Sequence, residues 1–366
     1  MKILHICNHF YPCIGGVEKY VEDLCTNLRK HGFISDVLCL NTCSYSKERL
    51  PFYEERNGIK IYRIPYINLK YYKIAPSVLK FAKNYDILHV HGIGFFSDFL
   101  LLTKLFHQKP VIVSGHGGIF HTKKFLPVKK IYFKVWTRIT LKFADCVIAE
   151  SKNNYDLFSR ICKPVLIPYS IYYENFRLKR KEEKNSFLFV GRISRNKRID
   201  NLIKTFYYLK KLAPSVKLYI VGGDWEGIKK ELENLVSKLE LEKNVFFIGE
   251  KRGKSLLEYY AKARFFVSAS QYEGFGISVI EAMAAGCVPI VNDIEAFRHF
   301  VKHERNGFIL NFSNHKESAE KIQEIMRRND LERIRRNARE TARKYDWDNA
   351  IRKLIKIYKN LDYNSF

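Results

Sequence analysis

The sequence predicts an α/β protein with two domains, each built on a doubly wound parallel sheet. Strand-like apolar runs alternate with helical runs along nearly the whole chain, which is typical of parallel sheets covered by helices. At 366 residues the chain is long enough for two domains that each bury a core. A charged stretch separates two series of strands. We therefore predict a first domain at 1–168, a linker at 169–185, a second domain at 186–345 and a final helix at 346–366.

The first domain begins with a short apolar strand, a glycine pair and a helix that ends near Lys30. Its predicted strands are Lys2–Cys7, Ile34–Leu40, Ile59–Ile64, Ile87–His91, Val111–Ser114, Cys146–Glu150 and Val165–Pro168. Helical runs are predicted near 75–83, 95–107, 128–143 and 151–161. Ligands of such sheets bind beyond the carboxyl ends of the strands, so we expect functional residues in the loops that follow them.

The second domain repeats this alternation. Its predicted strands are Ser186–Val190, Val216–Val221, Val245–Gly249, Arg264–Ser268, Val288–Val291 and Gly307–Leu310. Helices are predicted near 277–285, 314–328, 330–344 and 348–361, and a further helix is predicted to start at Lys254-Ser255. The string Asp346-Trp347-Asp348 directly precedes the last of them, so we interpret its acids as N-capping residues and not as metal ligands.

Composition indicates a folded, basic protein. Apolar residues make up 46% of the chain and the formal net charge is +26. Such a charge suits anionic partners, namely nucleic acid, acidic lipid or a phosphorylated substrate. A lysine-rich composition with a solvated basic surface is the alternative explanation.

The cysteines and the hydropathy pattern predict a cytoplasmic protein. None of the eight cysteines forms a C-x-x-C pair, and several lie in or beside strand-like runs. We therefore expect reduced thiols, with neither a zinc site nor a disulfide framework. The N-terminus does not read as a signal peptide, and no uncharged run reaches transmembrane length.

Residues 268–291 predict a strand, a loop, a helix and a second strand. The loop contains Glu273-Gly274-Phe275-Gly276, and the helix that follows it contains Glu281. Free amides at the helix N-terminus, with the helix dipole behind them, favour anion binding. Eight residues of helix span about 12 Å, which suits two ends of one elongated ligand better than one reacting bond. The alternative is a buried crossover with two structural glutamates.

Three other loops follow predicted strands and carry residues suited to a phosphorylated ligand. Gly15 and Gly16 let the backbone approach a phosphate or sugar closely. His116 lies in a glycine-rich loop directly after a core strand, although a single histidine is more often structural. Arg192 and Lys197 flank a turn between a strand and a helix, where two cations suit a diphosphate.

Taken together, these segments resemble the retaining glycosyltransferases of family 4, which have the GT-B fold. The match covers the Gly-Gly-x-Glu loop, the strand-end His-Gly, the Gly-Arg-x4-Lys segment and the Glu-x7-Glu signature, in this order. The resemblance implies two Rossmann-like domains facing a cleft, with a final helix that packs back on the first domain. The first domain then binds the acceptor and the second binds the nucleotide-sugar donor.

The resemblance also implies roles for individual residues. His116 would contact the donor sugar and its phosphate, Arg192 and Lys197 the diphosphate, Glu273 the sugar hydroxyls and Glu281 the ribose. The residues implied in catalysis are Glu273, His116, Arg192 and Lys197. The residues implied in donor binding are Gly15, Gly16, Arg192, Lys197, Lys251, Glu273, Gly274, Phe275, Gly276 and Glu281. The sequence departs from the family pattern after Pro168, where Tyr169–Tyr172 replace the usual Asn-Gly-Val-Asp.

Two stretches, 121–142 and 66–83, are rich in basic and aromatic residues and contain no acid. Basic amphipathic segments bind anionic membrane surfaces, so we expect peripheral attachment at the inner face of the membrane. The alternative is a helix with one core face and one solvated basic face.

We therefore predict a retaining hexosyltransferase that moves a sugar from a nucleotide-diphospho-sugar to a glycan or lipid-linked acceptor, in the synthesis of cell-surface polysaccharide or glycoconjugate. We expect it to need neither a cofactor nor a metal, because no cluster of metal ligands lies near the nucleotide segments. The alternatives are a GT-B sugar-nucleotide epimerase and a non-catalytic protein that binds membrane or nucleic acid. The absence of any RNA- or DNA-binding motif argues against nucleic acid.

Overall fold

The computed structural model describes residues 1–13, 15–43, 48–69, 72–116 and 126–363. The chain forms two units, one from Met1–Tyr169 together with Asp348–Phe366 and the other from Ser170–Trp347. Each unit is organised around its own parallel sheet.

The sheet of the first unit has eight strands. The strands of this unit are β1 (Lys2–Ile6), β2 (Ile34–Leu40), β3 (Tyr53–Arg56), β4 (Ile59–Ile64), β5 (Ile67–Leu69), β6 (Tyr72–Ile74), β7 (Ile87–His91), β8 (Val111–Ser114), β9 (Cys146–Ala149) and β10 (Val165–Leu166). The order in the sheet is β10-β9-β8-β7-β1-β2-β4-β3, and only β3 runs antiparallel to its neighbour. The remaining two strands, β5 and β6, form a separate hairpin. The chain passes from β1 to β2 on one side and later to β7 on the other, so the carboxyl end of β1 is the point where the strand order reverses.

The helices of the first unit pack on the faces of this sheet. They are α1 (Gly16–Lys30), α2 (Leu79–Ala82), α3 (Phe95–Leu102), α4 (Lys104–His107), α5 (Leu126–Tyr132), α6 (Arg138–Thr140) and α7 (Lys152–Phe158). The helix predicted at 128–143 is not regular, because a π-helical turn at Phe133–Thr137 and a 3₁₀ turn at Leu141–Phe143 interrupt it.

The two faces of the first sheet differ in chemistry. Alternate residues of β1 and β7, such as Leu4 and Leu88, enter an apolar core. Their neighbours His5 and His89 face the other way and are also buried. The C-terminal helix covers this second face, where the Tyr358 hydroxyl bonds His89 Nδ1 at 2.7 Å. One side of the sheet therefore carries a buried polar layer.

The second unit follows the predicted alternation closely. Its strands are β11 (Ser186–Val190), β12 (Lys217–Val221), β13 (Val245–Gly249), β14 (Phe265–Ser268), β15 (Val288–Asn292) and β16 (Phe308–Leu310), all parallel, in the order β13-β12-β11-β14-β15-β16. Its helices are α8 (Ile199–Leu212), α9 (Lys229–Lys238), α10 (Gly253–Lys262), α11 (Ile277–Ala285), α12 (Glu295–Arg298), α13 (His315–Met326) and α14 (Leu331–Arg343). The last helix, α15 (Trp347–Tyr363), begins at the end of this unit.

Helix α11 begins and ends where the sequence predicts. Gly286 follows its last residue with φ +82°, a conformation that favours glycine. A Cβ at this position would also lie 2.6 Å from the guanidinium of Arg339 on α14. The turn therefore favours glycine here, and a side chain would also displace the Arg339 guanidinium.

One prediction about the cysteines is wrong. Cys13 and Cys43 form a disulfide, with their Cα atoms 5.4 Å apart, whereas the sequence predicted free thiols throughout. The two residues follow β1 and β2, which are neighbours in the sheet, so the strand order brings their loops together. The other six cysteines are free thiols, as expected.

Within the residues that the structure describes, every helix is too short or too polar to cross a lipid bilayer.

Candidate functional site

The loop after β14 joins the turn after β11 through a lysine and a glutamate. Lys197 Nζ lies 2.5 Å from Glu273 Oε1, and the Ser270 hydroxyl donates to the same oxygen at 2.8 Å. Both charged side chains are largely buried, with 14% and 15% of their surface exposed. Strands β11 and β14 are neighbours, so their carboxyl ends deliver these residues to one place.

Two hydrogen bonds to backbone carbonyls fix this arrangement. The backbone amide of Gln271 donates to the carbonyl of Asn196 at 2.9 Å, and the side-chain amide of Asn196 donates to the Tyr272 carbonyl at 3.3 Å. The short 3₁₀ turn that carries Lys197 is thereby held against the Glu273 loop. Next to Lys197, Arg195 is exposed, whereas Arg198 is half-buried and bonds Asp200.

The glycine-flanked segment 274–276 forms the entry to α11. Gly276 has φ +105°, and a Cβ there would lie 2.8 Å from the Phe297 ring, so the turn accepts only glycine. In the described part of the chain, the amides of Ile277 and Ser278 have no hydrogen-bond acceptor. These amides and the dipole of the nine-residue helix α11 favour an anion beside Glu273.

Glu281 has a partner that the sequence did not indicate. The hydroxyl of Tyr260, on α10, donates to Glu281 Oε2 at 2.8 Å. Tyr260 is fully buried. The pKa of its hydroxyl lies well above the ordinary value, mainly because of this burial and secondly because of the nearby Glu281 carboxylate. The tyrosine therefore remains a neutral donor that orients Glu281. Tyr259 and Tyr260 are adjacent in a helical run, and the sequence gives no signal that Tyr260 has this role.

Arg192 and Lys251 are the two other basic residues of the predicted donor set, and Arg192 is exposed whereas Lys251 is half-buried. Arg192 follows β11, and its guanidinium lies 5.1 Å from the centroid of the Trp225 ring. Lys251 follows β13. Both residues therefore lie at the same carboxyl edge of the sheet as Lys197 and Glu273.

His116 and the glycine pair belong to the first unit. Gly15 precedes α1 and Gly16 is its first residue. A Cβ on Gly15 would lie 2.2 Å from a carboxylate oxygen of Glu18, so a side chain there would displace that group. His116 follows β8 with φ +43°, and its backbone amide donates to Glu150 Oε2 at 2.7 Å.

Both ring nitrogens of His116 are engaged within the protein. Nδ1 lies 2.8 Å from the Tyr169 hydroxyl, and Nε2 lies 2.8 Å from His91 Nδ1. The side chain is only 2% exposed. Burial lowers the pKa of His116, although the neighbouring Glu150 carboxylate opposes this shift. A ligand would therefore have to replace one of these bonds to contact a ring nitrogen.

The bonds of His116 continue into a chain of histidines. His91 Nε2 lies 3.0 Å from His5 Nδ1, and His5 Nε2 is buried without a partner among the described residues. Burial lowers the pKa of His5 to about 3 and that of His91 well below its ordinary value. Neutral imidazole donates through one nitrogen and accepts through the other, so the tautomers of the three rings depend on one another.

Two of these histidines, together with His89, form the one group of metal-capable side chains found in the described part of the chain. Ring nitrogens of His5, His89 and His91 lie within 4.8 Å of one another. However, His89 already bonds Tyr358 through Nδ1 and Ser114 through Nε2, at 2.7 and 2.8 Å. The group is thus explained as a hydrogen-bonded layer. The His-x-His pattern at 89–91 places both rings on one face of β7, because side chains two residues apart on a strand point the same way.

Comparisons with known proteins agree with this geometry. Residues 14–167 match the family described as Glycosyltransferase Family 4, and residues 173–345 match the family described as Glycosyl transferases group 1. A GDP-mannose:cellobiosyl-diphosphopolyprenol alpha-mannosyltransferase of Xanthomonas oryzae is 31% identical, over 98% of this chain and 96% of that protein. The protein of the same name from Komagataeibacter xylinus is 28% identical, over 99% and 93%.

Solved structures share the fold across both units. A sucrose-phosphate synthase from Thermosynechococcus elongatus superposes with a TM-score of 0.78 at 22% identity, covering 99% of each chain. HepE from Anabaena, in complex with UDP and glucose, superposes with a TM-score of 0.75 at 18% identity, covering 98% of this chain and all of that one. Both the fold and the relatives agree with the prediction, and the chain belongs to the group 1 glycosyltransferases of family 4, with the GT-B fold.

Proposed function

We propose that this glycosyltransferase moves mannose from GDP-mannose, with retention of the anomeric configuration, to a saccharide carried on a diphospho-lipid. The relatives that match nearly the whole chain bear the name of such an enzyme. The observation that carries the proposal is the Lys197–Glu273 pair beside the N-terminus of α11. It combines a cation and backbone donors for a diphosphate with a carboxylate for sugar hydroxyls. The second domain would then bind the donor and the first domain the acceptor.

The negative charge that develops on the leaving GDP during transfer explains why the site contains cationic side chains. As the bond between the sugar C1 and the phosphate oxygen breaks, the bonding electrons go to the leaving GDP. Lys197, Arg192 and the first amides of α11 would stabilise this charge, since preorganised donors are worth most where charge develops. The acceptor hydroxyl attacks C1 from the same face and passes its proton to the departing phosphate oxygen. No protein nucleophile is needed, and the configuration is retained.

Donor binding changes the partners of the pair. Lys197 would exchange Glu273 for the diphosphate, which frees the Glu273 carboxylate to accept hydrogen bonds from sugar hydroxyls. Glu281, oriented by Tyr260, would accept hydrogen bonds from the ribose hydroxyls. His116 would contact the sugar only after giving up a bond to Tyr169 or His91.

A lipid-linked acceptor requires access to a membrane surface, and the first unit carries a suitable face. Leu105 and Phe106 of α4 are 88% and 79% exposed. Lys104 bonds the carbonyl of Phe143, so these residues lie beside the end of the interrupted helix 126–143. That helix exposes a further apolar set, namely Val128, Ile131, Val135, Trp136, Ile139 and Phe143.

Basic residues accompany these apolar side chains. Lys134, Arg138 and Lys142 are exposed on the same helix, and residues 121–142 contain no acid. Residues 121–125 of this predicted basic stretch, with Lys123 and Lys124, lie outside the described residues. An exposed apolar set with a basic border suits peripheral docking on an anionic bilayer.

The proposal is tested with purified protein, GDP-mannose and a short-chain diphospho-linked disaccharide acceptor. We expect transfer of mannose, and NMR of the product should show an α-linkage. GDP-glucose and UDP-glucose serve as donor controls, and we expect much slower transfer from both. An inverted linkage would contradict retention. Consumption or epimerisation of the donor without acceptor, and no transfer with it, would contradict the proposed activity.

A further inference from the structure

A lysine and a histidine form an unusual pair beside the carboxyl end of β1. Lys73, on β6, donates to His9 Nε2 at 2.7 Å. His9 Nδ1 lies 2.8 Å from the backbone carbonyl of Thr42. A carbonyl oxygen can only accept, so Nδ1 carries the proton and Nε2 presents its lone pair to the ammonium. The pair therefore has one positive charge, which resides on Lys73.

This charge lacks a compensating anion in the described part of the chain. Burial lowers the pKa of Lys73, and no carboxylate among the described residues opposes this shift. The pKa of His9 is also lowered, mainly by burial and to a smaller extent by the charge of Lys73. The hydrogen bond to the Thr42 carbonyl raises it, but by less. The segment 66–83 contains four lysines and no acid. Charges removed from water are normally paired, so this half-buried ammonium is suited to an anionic ligand.

The position of the pair is that of a ligand site. His9 follows β1, which lies between β7 and β2 where the strand order reverses, and Thr42 follows β2. Open parallel sheets bind their ligands at such points. The hydroxyls of Thr42 and Tyr66 lie 2.9 Å apart, and the Lys73 ammonium is 5.6 Å from the centroid of the Tyr66 ring. One of these hydroxyls donates to the other, so one hydroxyl proton remains beside the cation for a ligand.

We propose that Lys73 and His9 bind a phosphate of the acceptor's diphosphate group. This inference rests on the proposed function, in which the acceptor saccharide is carried on a diphospho-lipid. Lys73 supplies a charge-assisted hydrogen bond, and whichever of the Thr42 and Tyr66 hydroxyls does not donate to the other supplies a neutral one. The site is separate from Arg192 and Lys197, which we assign to the donor diphosphate. It selects acceptors by their phosphate and takes no part in bond breaking.

The test uses Lys73→Met and two water-soluble acceptors, without vesicles or detergent. One acceptor is a short-chain diphospho-linked disaccharide, and the other is the same disaccharide as a neutral alkyl glycoside. A hydrogen bond to a charged group contributes roughly 10- to 100-fold in affinity. We expect Lys73→Met to raise KM for the diphospho-acceptor by about that factor and to leave KM for the neutral acceptor and for GDP-mannose unchanged.

Two further variants control for charge and folding. Lys80→Met removes an exposed lysine from the same acid-free segment and should leave both acceptor KM values unchanged. Lys73→Arg keeps the charge and should recover most of the affinity for the diphospho-acceptor. Circular dichroism checks folding, and Lys73→Gln replaces Lys73→Met if that variant does not fold.

Membrane phospholipids offer the same phosphate chemistry, so the variants are also tested for binding to phosphatidylglycerol vesicles. Weaker vesicle binding by Lys73→Met, with unchanged KM for both soluble acceptors, would assign the site to lipid headgroups and overturn the inference. Equal effects on both acceptors would also overturn it, because the loss would not depend on phosphate. Failure of the proposed function is a different result, since the wild-type protein would then transfer mannose to neither acceptor.

Discussion

Lys197 donates to the carboxylate of Glu273 across 2.5 Å, although the two residues are 76 positions apart in the chain. We assign them to opposite parts of the donor, the diphosphate and the sugar. The pairing means that each is held in place by the other before the donor arrives, with little exposure to water. Charged groups that are already oriented need less rearrangement when the transition state forms.

The orientation of Glu281 by Tyr260 predicts a change in donor binding without a change in chemistry. Ribose hydroxyls are unaltered by the reaction, so their contacts act equally on the ground state and the transition state. We expect Glu281→Gln to raise KM for GDP-mannose about tenfold and Tyr260→Phe to raise it by a smaller factor, both with kcat nearly unchanged. Tyr259→Phe, on the same helix, is the control. A loss in kcat that exceeds the change in KM would contradict the ribose assignment.

Donor turnover should continue without a divalent metal. Arg192, Lys197 and the α11 amides supply positive potential where a metal would otherwise act, and the one metal-capable histidine group among the described residues lies in the first unit. We expect full activity in excess chelator. Complete loss of activity, restored by magnesium or manganese, would contradict the roles given to Arg192 and Lys197.

The buried histidines predict that stability falls in mild acid. Burial lowers the pKa of His5, His89, His91 and His116 in the folded state, whereas an unfolded histidine titrates near 6.5. Below that pH the unfolded chain binds protons that the folded chain does not, so stability decreases as pH falls from about 6.5 towards the folded values. Each histidine contributes at most about 1.4 kcal/mol per pH unit.

Urea unfolding between pH 7.5 and 5.0 measures this dependence. The His5→Phe variant should lose stability less steeply with falling pH than the wild-type protein, whatever its absolute stability. His303→Phe, which replaces an exposed histidine, is the matched control. Equal slopes for the wild-type protein and His5→Phe would show that His5 does not resist protonation.

The exposed apolar residues of α4 predict how the protein docks on membranes. Burying a Leu or Phe side chain contributes about 1.5–3 kcal/mol, so replacing both with serine should weaken vesicle binding at least tenfold. We expect Leu105→Ser combined with Phe106→Ser to have this effect in a sedimentation assay with anionic vesicles. Leu212→Ser, an exposed position in the second unit, is the control. Unchanged sedimentation of the double variant would exclude α4 from the docking face.

The sequence predicted the core strands well because their signal is local. Strands such as Ile34–Leu40 and Ser186–Val190 are mostly apolar and are buried on both faces over most of their length, and the structure confirms their bounds. Strand β3 (Tyr53–Arg56) and the hairpin of β5 and β6 were missed. They are short, polar or exposed, so their sequences lack the apolar run that marks a central strand.

The contacts between side chains were harder to predict than the places of the residues at the ends of strands. The sequence indicated that Lys197 and Glu273 follow strands, but their contact depends on β11 and β14 being neighbours, which no local pattern states. The same holds for Cys13 and Cys43, joined by the order of β1 and β2. For His116, the strand-end position was predicted, whereas its bonds to His91 and Tyr169 depend on packing across 25 and 53 residues.

The most direct test of the donor site is steady-state kinetics of Lys197→Ala and Arg192→Ala, with circular dichroism to check folding. We propose that both residues stabilise the negative charge that develops on the leaving diphosphate as the bond between sugar and phosphate breaks. We therefore expect each variant to lose about 10²-fold or more in kcat and in kcat/KM for GDP-mannose. Arg195→Ala removes an exposed arginine from the same turn and should stay within about twofold of the wild type. Wild-type kcat/KM in Lys197→Ala and Arg192→Ala would mean that the donor diphosphate binds elsewhere.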